Sequence, residues 1–233
     1  FRYNSYFKLH KSELVFDRRI AWSVIRIGVP LSLQFSLIAI SCMALQRVVN
    51  IFGADAIAAF TATSRIEQVI HQPYQTMGTA LSTYTGQNYG AKKYDRVVKG
   101  YHKALILMAA FTLLMVPVMQ FCGAPITAIF VKDPEVIKMG AMALKITSWF
   151  YIFLGIIYVV RGVLNGVGDA FFALLNGIIE VIGRFFVPVV LTSIAAIGLW
   201  GIWWSVGIVW FMSGFTAWLR YIWYKKKHFD KNA

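Results

Sequence analysis

The chain has 233 residues, of which 58% are hydrophobic and only 14% charged, whereas soluble domains carry about 25% charged residues. That balance excludes a globule with a water-exposed exterior and calls for lipid around most of the surface. The net charge of +13 would suit a nucleic-acid partner, but the placement of the charges gives it a membrane role instead.

The chain opens on Phe1 with a basic, aromatic stretch and no signal-peptide pattern, which reads as a missing natural N-terminus. Residues 1–21 suit either a solvated linker or an amphipathic helix lying on the membrane surface. A spanning helix needs roughly 20 apolar residues. Residues 27–46 carry no formal charge and form the clearest span. Residues 56–89 form a second, more polar one that contains Arg65 and Glu67. Residues 104–131 form a third, and residues 134–162 a fourth, with Asp133 as its cap and Pro134 in its first turn. Residues 170–191 and 201–224 complete six, divided by an uncharged turn at 195–198. The uncharged run 185–219 is too long for one crossing, which forces that turn. Pro73, Pro117 and Pro188 fall inside helices and mark expected kinks. Cys42 and Cys122 sit in apolar runs and build neither a disulfide framework nor a metal site.

Lys and Arg concentrate in cytoplasmic loops. They crowd the leading segment (Arg18, Arg19 and Arg26 among others), the loop after the second span (Lys92, Lys93, Arg96, Lys99 and Lys103), Arg161 after the fourth, and the tail from Arg220 to Lys231. The opposite side holds only Arg47, Lys132 and Lys138. Both termini of this segment are therefore expected in the cytoplasm, with the chain a multi-pass protein of the cell inner (plasma) membrane. The basic surplus then orients the protein and meets anionic lipid, so no nucleic acid is needed. Trp200, Trp203, Trp204, Trp218 and Trp223 bracket the last span like an interfacial belt.

Ionisable groups at bilayer depth are costly and are usually functional or paired. Glu67 and Glu180 each lie about 15–17 Å along their helices and suit a cation or proton site. Arg184, four residues after Glu180, offers it a structural ion pair on the same face. Ser64, Glu67, His71, Gln75 and Ser82 follow helical spacing and make a polar stripe. Such a stripe lines an aqueous cavity or joins helices by hydrogen bonds, and His71 beside Glu67 suits a proton relay. Gln34 and Ser36, with Ser32, Ser41 and Gln46, require part of the first span to face inward. No HExxH or GxSxG motif is present, so an enzyme is not expected.

The run from residue 58 to 96, above all Gly86-Gln87-Asn88-Tyr89-Gly90-Ala91, resembles the MATE (multidrug and toxic compound extrusion) family. Gly28-Val29-Pro30 with Gln34, Arg161-Gly162, Asn165-Gly166-Val167-Gly168-Asp169 and the run from Gly177 to Arg184 add to the resemblance, which covers roughly residues 20 to 225. It implies an all-α integral membrane fold: a six-transmembrane-helix bundle forming the C-terminal lobe of a pseudo-two-fold, twelve-helix transporter. Residues 1–21 would then be the cytoplasmic linker between lobes, 22–224 the six-helix lobe, and 225–233 a basic cytoplasmic tail. The implied partners are an N-terminal six-helix lobe, in the same or a separate chain, membrane lipid, and small-molecule drug substrates.

The implied function is export of cationic or amphipathic drugs by antiport with protons or sodium and no other cofactor, through alternating access. The acids that some sodium-coupled members carry in the first and fourth helices of this lobe are missing here. The substrate and ion cavity candidates are therefore Gln34, Ser36, Glu67, His71, Gln75, Glu180 and Arg184. The alternative is a lipid-linked oligosaccharide flippase of a related family.

Overall fold

The computed structural model describes residues 16–229 of the chain, except the side chains of residues 170 and 173. Among the described residues the structure is entirely helical: α1 (Arg18–Asn50), α2 (Ala54–Gly90), α3 (Tyr94–Ala128), α4 (Pro134–Ser148), α5 (Tyr151–Gly166), α6 (Ala170–Ser193) and α7 (Gly201–Tyr224). A short 3-10 turn, Gly198–Trp200, precedes α7, and one wide turn, Lys225–Phe229, follows it. Residues 1–15 and 230–233, most of the expected linker and the end of the expected tail, lie outside the described residues.

The helix ends follow from local chemistry. The Asp17 carboxylate accepts from the Arg19 and Ile20 backbone N–H groups, so α1 starts well before the uncharged run and Pro30 falls inside it. Asp133 caps α4 in the same way, with Pro134 at the first helical position, as the sequence predicts. α2 stops at Gly90, but the residue with positive φ is Lys92 (φ 56°). The Lys93 N–H bonds back to the Asn88 carbonyl at 2.8 Å and closes the turn. Gly168 (φ 83°) plays that part after α5, where the Asp169 N–H reaches the Leu164 carbonyl at 2.8 Å.

α1, α3, α6 and α7 are long and apolar enough to cross a membrane. α2 has 37 residues, about 55 Å of helix, but its polar stripe lowers its hydropathy. α4 and α5 meet at a 54° bend over the break at residues 149 and 150 and together have the length and composition of one broken span. Large apolar side chains such as Phe121, Leu113 and Met43 point outward, as lipid contact requires.

α2 packs along α5 with the backbones nearly touching: a Cβ on Gly162 would stand 2.5 Å from the Gly78 carbonyl oxygen, and one on Gly78 2.8 Å from the Tyr158 carbonyl oxygen. Close approach through small residues is the usual packing device in lipid, where hydrophobicity alone does not join helices. The main core lies between α2, α3, α5 and α7, around Tyr74, Tyr151, Ile157 and Trp210.

The break in the fourth span falls at Trp149 and Phe150, where there is no proline. The helices around Pro73, Pro117 and Pro188 run on without interruption. Trp203 is not part of an interfacial belt: it is 2% exposed, and its indole N–H points at the Thr63 hydroxyl at 3.4 Å. Trp204, Trp218 and Trp223 are exposed, as a belt requires.

Candidate functional site

The site forms where the fourth span breaks. Bending a helix in lipid frees carbonyls that must find other donors. The Lys145 carbonyl is met by Gln120 Nε2 from α3 at 3.0 Å and by the Ser148 hydroxyl at 3.0 Å. Gln120 Nε2 also donates to Ser148 Oγ at 2.9 Å. The Phe150 ring packs on α7 at Gly207, where a Cβ would come within 2.2 Å of it. The bend is thus held by one side chain from α3 and one glycine of α7.

Glu67 and His71 from α2, Thr147 at the end of α4 and Tyr151 at the start of α5 meet at this break. Glu67 Oε1, His71 Nε2, Thr147 Oγ1 and the Tyr151 hydroxyl are all buried, and among the described residues none has a hydrogen-bond partner. Thr147 lies between Glu67 and Tyr151, close enough to act on both without good hydrogen-bond geometry. Trp210 of α7 closes the wall, its ring edge-on to His71 at 5.2 Å and tilted to Tyr151 at 6.1 Å. Buried polar atoms are nearly always paired, and four without a well-formed bond in one place, with Thr147 within reach of both Glu67 and Tyr151, make the break a candidate binding site. Discontinuous helices supply such sites: a helix N-terminus, here that of α5, favours negative charge.

A second polar cluster lies between α5, α6 and α7. Glu180 is 4% exposed and forms an ion pair with Arg161. Its other oxygen stands 3.4 Å from Arg184. Arg161 Nε donates to Asn176 Oδ1 at 2.8 Å, and Asn176 Nδ2 donates to the Ser213 carbonyl and the Thr216 hydroxyl at 2.9 and 3.0 Å. The Ser213 hydroxyl is 3.0 Å from both Asn176 Oδ1 and Glu180 Oε1. Arg184 crosses to α1, where it donates to the Ser41 hydroxyl at 3.1 Å and lies 3.5 Å from Cys42 Sγ. Its charge also acts on Glu67 and His71, which joins the two clusters.

The structure therefore brings together Glu67 and His71, and separately Glu180 and Arg184. Gln34 is buried against Gly177, one turn from Glu180, with Oε1 unpartnered among the described residues. Ser36 and Gln75 are exposed and join neither cluster. Arg161 corrects the sequence reading: it is not in a cytoplasmic loop but inside α5, as the nearest partner of Glu180. Thr147, Tyr151 and Asn176 were also missed, and only their polarity within apolar runs signals them. Lys145 is exposed and makes no ion pair among the described residues.

Comparison with known proteins gives this architecture a family. The MatE family model matches residues 30–190, and the chain belongs to that family. Among curated relatives, the probable multidrug resistance protein YpnP of Bacillus subtilis is 27% identical over 201 residues, 85% of this chain and 44% of its own length. A FAD transporter of Shewanella oneidensis is 29% identical over 112 residues, 48% of this chain and 25% of its own length. A solved structure, MATE in the bent conformation, superposes with a TM-score of 0.87 over 99% of this chain and 51% of that one, at 19% identity. The chain thus spans about half the length of the MATE structures it matches, with the fold of one lobe.

Proposed function

We propose that this chain forms the C-terminal lobe of a secondary transporter, not an enzyme, that exports cationic or amphipathic compounds by antiport with protons or sodium. Its lobe rocks against a second six-helix lobe to open the cavity alternately to each side of the plasma membrane, with both ends of this segment cytoplasmic. Glu67 carries the coupling. The observation behind that role is its buried, unpartnered carboxylate oxygen facing Thr147 and Tyr151 at the break of the fourth span. A carboxylate placed there exchanges a proton or holds a sodium ion among hydroxyl oxygens. His71 stands next to it without bonding through Nε2, so a relay would require rotation of one side chain. Glu180, already paired with Arg161, serves the structure. The flippase reading weakens at Arg184, which is committed to Glu180 rather than to a basic cavity wall.

The test is Glu67→Gln in the full-length transporter, expressed in drug-sensitive cells. Resistance should fall while protein level in the membrane stays normal. Unchanged resistance at normal protein level removes Glu67 from the coupling.

A second reading concerns the substrate. The outer face of α2 carries Arg65, Gln68, Gln72, Gln75, Thr79 and Thr83, all exposed at helical spacing and without an acid among them. Such a face cannot meet lipid, and it suits a polar or anionic aromatic compound as well as a cation. The Shewanella FAD transporter, among the relatives, points the same way. Competition between FAD and a cationic dye for binding to the purified transporter separates the two.

A further inference from the structure

We propose that the α2–α3 turn and the segment after α7 together form one binding site for the phosphate-bearing headgroup of an anionic lipid, assembled by the burial of Phe229. The site rests on the orientation proposed above, which puts this end of the bundle at the cytoplasmic leaflet, and is separate from the coupling site at Glu67.

Phe229 ends a run that reads Lys225-Lys226-Lys227-His228-Phe229 and is 2% exposed. Its ring stacks on Tyr94 at 5.8 Å and lies edge-on to Tyr89 at 6.4 Å and Tyr224 at 5.6 Å. Tyr89 and Tyr94 are themselves edge-on at 5.6 Å, and the Tyr224 hydroxyl reaches that of Tyr89 at 3.4 Å. Tyr89 and Tyr94 flank the turn that carries Lys92 and Lys93, with Arg96 one turn into α3. The aromatic cluster therefore holds two basic segments, more than 120 residues apart in sequence, against each other.

Lys92, Lys93, Arg96, Lys226 and Lys227 are exposed, and with the partly buried Lys225 they make no ion pair among the described residues. Asp95 is the sole acid between residues 89 and 103; residues 220–229 contain none, Asp230 follows directly in sequence, and Asp169 is taken up by Arg220. Holding two basic segments against each other costs energy unless an anion offsets it. Charge repulsion alone would drive the tail away from the turn, yet the structure keeps it there by burying a phenylalanine.

Trp223 sets the depth. It is 46% exposed, with the Arg220 guanidinium 4.3 Å and the Lys227 ammonium 4.6 Å from its ring. An exposed indole under two cations belongs at headgroup level. Clustered cations at that depth attract anionic lipid at about 1 kcal/mol per residue. What this structure adds to the general attraction is a fixed site made from two segments.

The test uses the full-length protein, delipidated in neutral detergent, with thermal unfolding followed as lipid is added back. Phosphatidylglycerol should raise Tm by about 5 °C at saturation, whereas phosphatidylcholine and inorganic phosphate should not. K92Q/K93Q and K226Q/K227Q change exposed side chains, the second pair also giving up the contact of Lys227 with the Trp223 ring. Each should remove most of the shift, and the two combined should remove no more than either alone. F229A should also lose the shift with every charge in place, provided its Tm without lipid shows it folded. Equal stabilisation by phosphatidylcholine or by phosphate, or additive losses from the two lysine pairs, would overturn a single lipid site.

Discussion

Arg161 and Glu180, 19 residues apart in sequence, form a buried ion pair between α5 and α6, and Arg184 stands 3.4 Å from the other oxygen of the same carboxylate. Glu180 thus has two cationic partners, with the closer one on a different helix. Removing one partner of a buried pair leaves an uncompensated charge and costs about 3–5 kcal/mol. Arg161→Ala should therefore lower the stability of the full-length protein by about that amount, or prevent its accumulation in the membrane. Arg184→Ala leaves Arg161 in place and gives up the bond to Ser41 and the longer contact with Glu180, so it should cost less, about 1–3 kcal/mol. Thermal unfolding in detergent ranks the two, and an Arg184 variant less stable than the Arg161 variant would contradict the assignment.

Thr147 and Tyr151 face Glu67 with unpartnered hydroxyls. If they help hold the coupling ion, Thr147→Val and Tyr151→Phe should raise the ion concentration needed for half-maximal transport while leaving Tm nearly unchanged. An ion titration of drug efflux in proteoliposomes reads both. A loss of stability with unaltered ion dependence would assign the hydroxyls to packing.

Gly162 leaves no room for a side chain, because its Cβ would sit 2.5 Å from the Gly78 carbonyl oxygen. The obstacle is backbone, so the helices must separate. Gly162→Ala should cost about 1–3 kcal/mol, visible as a reduced yield of monodisperse protein on size exclusion. Gly90 has open space around it, and Gly90→Ala should be tolerated there.

Gln120 satisfies the carbonyl freed at the bend. Gln120→Leu keeps the volume but leaves that carbonyl to the Ser148 hydroxyl alone, at a cost of about 0.5–1.5 kcal/mol. Transport should fall although Gln120 belongs to neither polar cluster. Full transport by a stable Gln120→Leu protein would show that the bend does not depend on it.

Much of this arrangement was legible in the sequence. Charge-free runs placed α1, α3, α6 and α7, and Asp133-Pro134 marked the start of α4. The spacing of Glu67 and His71 gave the inward edge of α2. The break at Trp149 and Phe150 was not legible, since its cause lies in Gln120 on α3 and Gly207 on α7, remote in sequence. Arg161 was misread because a cation close to a glycine-rich loop looks cytoplasmic, and only the packing of α6 and α7 reveals Glu180 and Asn176 beside it. Trp203 was misread for a similar reason: an indole near the end of a span suits an interface, and only the nearness of Thr63 puts it inside.

The central claim is that Glu67 couples ion entry to export. It is tested most directly by loading proteoliposomes of the full-length transporter with a fluorescent cationic drug and imposing a proton or sodium gradient, one at a time. The account predicts that one gradient drives drug movement in the unaltered protein. Glu67→Gln should abolish that response while still binding the drug. Gradient-driven movement of normal size in the Glu67→Gln protein would contradict it.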